Sequence, residues 1–520
     1  MSSKNLVFLL NLHHPYIKLD KENFPRYEEE GTLFFRAISK LYLPLLNMLS
    51  KFEKERISAK FALVFSAPIC ALLDDEDVKS GYNEWLDSLI EFAEKEVART
   101  KKNSALNSVA RKNRDEALRC KRDFNDVYGR DLLGAFSNFA KKDFVEILAT
   151  CGTYMFVPHF CDMPEILNAQ VESGLYAVRT CFGRNPAGFF LPEMGYAPEV
   201  ENVLKLYGVE YTVLPRHSFL FSKIPPQDGI FAPAKFQNSL DAFASVKFNS
   251  EIAANPLYKN TKCDLAWELS HGELFPFVRD EGSRHASTFS YKNNGGDSYD
   301  EAAAIERAKC DARDFVEAKT ALLSKAQEAL DGEQVFVGTY FDGVSLSRNW
   351  AEFFEFLECS LREAVSRGVK VVGFSDLIDK SGKKERQKII PYLAAYSGSR
   401  YGENLVSNAN NWMMRYLRKS SERLVDLVSR FPDDGGLKAR LLNLGARELM
   451  LAQDCTLAKM IDSNTYANFA SECFRRRIVS FSNVYEALGK NTVSTEWFCS
   501  LEKAHAIFPW MNYRIFAKKH

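Results

Sequence analysis

Short apolar runs recur through roughly the first 375 residues, separated by longer stretches in which apolar positions return every three or four residues. The runs cover 6–12, 61–67, 145–150, 188–191, 211–214, 335–341 and 369–374. Such unbroken runs suit strands covered on both faces, as in a parallel sheet. Helical periodicity occupies 33–52, 82–100, 163–180, 199–206, 301–330 and 350–366. The alternation predicts βα units of an α/β protein, and the number of runs predicts a (β/α)7-type barrel of about seven or eight strands.

Two segments interrupt this rhythm. Residues 95–135 are charged and helical, which predicts a helical insertion. Residues 250–300 are rich in Asn, Ser, Gly and His, and are too long for a plain connection, which predicts a lid-like cover. Beyond about residue 380 the strand pattern stops. Helical periodicity then runs over 408–431, 437–451 and 465–488, with a Pro- and Gly-containing turn at 432–436. The expected organisation is a barrel domain over 1–380 and a helical domain over 381–520.

Composition narrows the chemistry. The chain has 520 residues, 46% hydrophobic and 13% aromatic, enough for a large core with aromatics to spare. Lys plus Arg and Asp plus Glu are both 68, so no concentrated basic face is offered to nucleic acid. A neutral polymer is the more fitting partner. The eleven cysteines show no CxxC or other regular spacing, which fits reduced thiols in a cytoplasmic protein. The apolar run after Lys4 is too short to span a membrane. It passes directly into Asn11 and His13, so a strand is expected there rather than a leader.

The candidate chemistry sits at the ends of predicted strands. In a parallel barrel the C-terminal strand ends carry the reactive groups. The run 188–191 stops at Pro192 and delivers Glu193, and the run 335–341 delivers Asp342. Two carboxylates at two strand ends suit acid/base or nucleophilic work on a sugar. His13 and His14 follow the first run, and His217 follows the run 211–214. Strand alternation predicts that His13 faces the cavity and His14 faces away. His13, His217 and Asp342 together form a conceivable metal set, but no HxxxH or HxH spacing supports it. No GxSxG, GxGxxG or GxxxxGK[ST] pattern occurs either. Neither metal nor cofactor is expected.

At these residues the chain resembles glycoside hydrolase family 57, in its 1,4-alpha-glucan branching branch. His13, Pro15 and Tyr16 match the family's first motif. Phe190, Leu191, Pro192, Glu193 and Tyr196 match the third, and Tyr340 with Asp342 matches the fourth. Segments 446–453 and 507–514 look like the C-terminal part of the branching enzymes. The resemblance implies Glu193 as nucleophile and Asp342 as acid/base of a double displacement on α-glucan. It also implies His13, Tyr196, His217, Trp267 and Trp350 as substrate contacts.

Several family positions are substituted. Asn11 and Tyr154 stand where histidines are expected, and Arg348 stands for another. The segment 398–403 is reduced, and a tryptophan expected just after Gln453 is replaced, with Leu457 in its place. These changes leave open a 4-alpha-glucanotransferase, an amylase, or a glucan-binding relative of little or no activity.

Overall fold

The computed structural model describes residues 3–18, 28–261, 290–330, 334–378, 386–490, 492 and 494–518. Seven parallel strands close a barrel. They are β1 (Lys4–Asn11), β2 (Phe61–Phe65), β3 (Val145–Thr150), β4 (Gly188–Phe190) and β5 (Tyr211–Pro215), followed by β7 (Asp241–Lys247) and β8 (Val335–Asp342). The two-residue β6 (Ala234–Lys235) runs antiparallel on β7 and lies outside the ring. Closure occurs at β1, which pairs with β8 along its whole length, from Lys4↔Val335 to Asn11↔Asp342. On its other side β1 meets β2 only from Leu9↔Ala62 to Asn11↔Val64. Below that contact the short β9 (Lys370–Val371) pairs with Asn5 and Leu6, and Val371 bridges to Ala59.

The (β/α)7 expectation holds, with one exchange of members. Residues 369–374 supply only the two-residue β9, and the ring is completed by β7, which was not anticipated. Its sequence, Asp241 to Lys247, sets Phe243 and Val246 among small and polar residues and makes no long apolar run. It is nonetheless buried along five of its seven positions, because neighbours cover both faces.

Helices wrap the ring. Between β2 and β3 lie Glu76–Arg99, Ser104–Arg122 and Leu132–Lys141. The first starts cleanly because the Asp75 carboxylate accepts from the Asp77 and Val78 amides. Helix Glu301–Ala329 is capped in the same way by Asp300 and runs 29 residues before β8. Most of the predicted cover at 250–300 lies outside the described residues. Among those described, no helix is long and apolar enough to cross a membrane.

Beyond β9 the structure is helical. Trp412–Arg430, Gly436–Ala452, Cys455–Asp462 and Ala467–Lys490 pack together, and Thr495–Ala504 is tied to them by Arg440, which pairs with Glu502 and lies over the Phe498 ring. They also join the barrel through buried polar contacts. Arg477 donates to the carbonyls of Leu451 at 2.8 Å and Tyr16 at 2.7 Å. Gln170, on the helix after β3, donates to the Gln453 side chain at 2.8 Å. Met155 bridges to Asp454, and the Cys455 amide donates to the Tyr154 carbonyl.

Candidate active site

β4 ends at Phe190, and from Pro192 the chain folds into a tight turn. The Met194 amide returns to the Leu191 carbonyl at 2.7 Å, and the Gly195 amide to the Pro192 carbonyl at 2.9 Å. Glu193 and Met194 both take left-handed backbone, with φ of 53° and 50°. That conformation costs of order 1–3 kcal/mol at a non-glycine residue and must be held by its surroundings. The Tyr396 amide donates to the Glu193 carbonyl at 2.7 Å, and the Glu193 amide points to the Tyr154 hydroxyl at 3.4 Å. Gly195 cannot carry a side chain, since a Cβ there would stand 2.3 Å from the Phe156 ring. The outcome is a carboxylate 6% exposed at the C-terminal face of the barrel.

Asp342 ends β8 and also caps the next helix, Gly343–Asn349, by accepting from the Ser345 amide at 3.2 Å. Both carboxylates converge on one cation. Lys459 Nζ lies 2.8 Å from Glu193 Oε1 and 4.0 Å from Asp342 Oδ2. The two oxygens are therefore separated by no more than those two distances laid end to end. Burial alone would favour the neutral amine of Lys459, but the charges of Glu193 and Asp342 outweigh it and raise its pKa. The lysine comes from helix Cys455–Asp462 of the C-terminal region. That helix is fixed at its start by Asp454, which accepts from the Thr456 amide and faces His13 Nε2 at 3.4 Å.

The carboxylates line a cavity of about 640 Å³, together with Asn11, His13, His14, Tyr154, Arg348 and Lys459 among others. His13 Nδ1 is bonded to Ser66 Oγ at 2.8 Å, and its ring stacks on Tyr154 with centroids 4.0 Å apart. His14 lines the same cavity, contrary to the alternation argument. β1 ends at Asn11, so both histidines sit on irregular backbone where alternation no longer applies. Burial lowers the His14 pKa to about 4, which keeps it neutral near pH 7. Arg348 is exposed and lines the same cavity.

Two substituted family positions turn out to be partners. Asn11 Nδ2 donates to the Tyr154 hydroxyl at 2.7 Å and stands 3.3 Å from that of Tyr340. Tyr154→Phe is expected to leave the Glu193 amide unmatched and Asn11 with only its longer contact to Tyr340. It should lower thermal stability by about 1–3 kcal/mol in a denaturation experiment, whereas an exposed tyrosine would show almost no change.

The remaining sequence candidates lie apart from this cavity. Tyr196 is buried, stacked on Phe236 and bonded to Glu201. His217 Nε2 faces the Arg400 carbonyl at 3.2 Å, beside Tyr396 and Tyr401. Trp350 is packed among Phe248, Tyr258, Phe353 and Phe356. None of the three lines the cavity. Trp267 lies outside the described residues. Among the described residues, no three His, Cys, Asp or Glu side chains converge as metal ligands. Lys459 and Asp454 escaped the sequence reading, because a lysine and a cap in a C-terminal helix look like solvated surface.

Comparison with known proteins agrees with this architecture. The profile of glycosyl hydrolase family 57 matches residues 7–393. The chain belongs to glycosyl hydrolase family 57. A second profile, that of the 1,4-alpha-glucan branching enzyme C-terminal region, matches residues 416–516. A curated family-57 relative, the 1,4-alpha-glucan branching enzyme of Thermococcus kodakarensis, is 23% identical over 515 residues, spanning 94% of this chain and 74% of that protein. Among solved structures, the alpha-amylase AmyC of Thermotoga maritima aligns over 100% of both chains at 24% identity with a TM-score of 0.88. The family-57 branching enzyme of Pyrococcus horikoshii aligns over 100% of this chain and 97% of its own at 19% identity and 0.85. At these identities the structural matches speak for the family-57 fold. The likeness to family-57 branching enzymes read from the motifs is borne out by the two profiles and the curated relative.

Proposed function

We propose that this family-57 member is a retaining enzyme acting on α-glucan, and that its reaction is 1,4-alpha-glucan branching. The observation that carries this reading is the meeting of Glu193 and Asp342 around one ammonium at the C-terminal face of the barrel. The spacing this permits includes the ~5–5.5 Å of retaining carboxyl pairs. Glu193, the more buried group on a rigid turn, attacks the anomeric carbon. Asp342, partly open to the cavity, protonates the leaving oxygen and then takes the proton of the acceptor hydroxyl. The match of residues 416–516 to the branching-enzyme C-terminal region favours a sugar 6-hydroxyl as acceptor.

Incubation with amylose tests the proposal. Iodine staining, reducing ends and the lengths of debranched chains are followed together. Falling iodine colour without new reducing ends, with short chains released on debranching, is the expected result. New reducing ends in step with colour loss would instead mark a hydrolase. Transfer without new branches would mark a 4-alpha-glucanotransferase. One observation favours a further reading, a glucan-binding relative without turnover: the ammonium of Lys459 already occupies the space beside the nucleophile. Glucan binding with no change in any of the three signals would establish that reading.

A further inference from the structure

Lys459 has no counterpart in the sequence argument, yet it is the group that ties the two carboxylates together. Its Nζ makes a hydrogen bond of 2.8 Å to Glu193 Oε1, and Asp342 Oδ2 is its next acidic neighbour at 4.0 Å. The side chain arrives from outside the barrel, on an eight-residue helix that is anchored independently of it. Asp454 caps that helix and meets His13, while the Cys455 amide is held by the Tyr154 carbonyl. Leu457 and Ile461 seat the opposite face of the helix in the core. Removing the Lys459 charge therefore leaves the helix its own attachments.

We infer that Lys459 is a positioning residue that serves as counter-ion to both carboxylates in turn, passing from Glu193 to Asp342 as negative charge moves between them. The inference rests on the double displacement proposed above. In the first step a Glu193 oxygen forms a bond to the anomeric carbon, and the bond from that carbon to the leaving oxygen breaks with its electron pair. That oxygen takes the proton of Asp342. Glu193 loses its negative charge to the ester and Asp342 gains one. The ammonium neither gains nor loses a proton. It already lies between the two positions, so the charge it compensates shifts by a few ångströms while the cation swings on a flexible stem. In the second step the charge returns and the cation follows.

The other titratable groups around it leave this charge set undisturbed. Burial pushes the phenols of Tyr154 and Tyr340 and the thiol of Cys455 upward, so all three stay neutral through the working range. His13 faces Asp454, while His14 is neutral and bonded to the Pro15 carbonyl. Arg348, on the helix begun by Asp342, lines the same cavity, and its charge adds to the burial that lowers the His14 pKa. The negative charge thus moves between the carboxylates of Glu193 and Asp342, with the ammonium of Lys459 beside both.

The test is the pH profile of kcat/KM for Lys459→Met and Lys459→Arg on amylose. A cation within about 4–6 Å lowers a carboxyl pKa by roughly 1–3 units. The acid limb requires ionised Glu193 and the alkaline limb requires protonated Asp342. The attraction to both carboxylates that raises the Lys459 pKa is lost with the cation, so both limbs should move to higher pH. Lys459→Arg should keep both limbs near their wild-type positions. Limbs of Lys459→Met that coincide with those of the wild type overturn the inference, whether the rate rises or falls. A second readout needs no turnover. Carbodiimide with glycine ethyl ester labels protonated carboxyls, and mass spectrometry of the peptides bearing Glu193 and Asp342 gives their labelling midpoints against pH. These midpoints should also move upward in Lys459→Met, and unchanged midpoints count against the role. If the wild type leaves amylose untouched, the proposed reaction falls while the labelling still decides the place of Lys459.

Discussion

Glu193→Gln is expected to stop glucan transfer almost completely, with a loss of at least about 10⁴-fold, since a displaced nucleophile has no substitute in the cavity. Glutamine keeps the size of the side chain, its amide oxygen can still accept from Lys459, and the turn is held by backbone bonds, so the melting temperature should stay near that of the wild type. The companion change, Asp342→Asn, separates the two steps. With an activated donor such as a maltosyl fluoride, the leaving group needs no protonation and the first step proceeds. The second step lacks its base. A covalent sugar ester should accumulate, and peptide mass spectrometry should find it on the segment containing Glu193. An ester on another residue, or a Glu193→Gln variant with more than a few per cent of wild-type rate, would remove Glu193 from the mechanism.

Arg477→Met carries the second large effect, this time on stability. The guanidinium is 4% exposed and supplies two buried carbonyls, one in the C-terminal helices and one just after β1. Methionine fills the space but leaves both carbonyls unmatched, at a cost of roughly 2–5 kcal/mol to the docking of the helices on the barrel. Thermal unfolding should begin earlier, and limited proteolysis should open the chain before Trp412. Activity should fall with it, because Asp454 and Lys459 are delivered by the same docked region. An unchanged melting temperature and digestion pattern would show that the remaining barrel contacts suffice.

Much of the barrel was legible in the sequence, for a physical reason. Strands such as β1, β2 and β8 are covered on both sides, so they read as continuous apolar runs, and the residues just past them were natural candidates for chemistry. β7 was missed because only Phe243 among its five buried residues is large and apolar, and it stands among Asp, Ala and Ser, which carry little hydrophobic signal. Position at a strand end also does not reveal direction. Trp350 follows the short helix after Asp342, yet its ring turns into an aromatic cluster, and His217, just past β5, turns toward the Arg400 carbonyl. The hydrogen bond from Asn11 to Tyr154 was illegible for a different reason. Each looked like an isolated loss of a histidine, and only their contact shows one substitution answering the other. Lys459 lies 266 positions from its partner Glu193, beyond the reach of any local pattern.

The way β1 is held has a consequence for the order in which the protein can be made. β1 leaves the ribosome before the other strands of the barrel and touches β2 at three positions only, while its eight-position partner β8 and its short neighbour β9 are encoded more than three hundred residues later. Until residue 342 is synthesised, the β1 edge that β8 covers is open, and so is the growing sheet at its other end; β9 then covers Asn5 and Leu6 on the second edge of β1. Exposed edges invite pairing with other chains. Nascent chains interrupted before β8 should therefore be markedly more prone to aggregate and to recruit chaperones than chains interrupted after β9, although the two differ by fewer than forty residues of sequence.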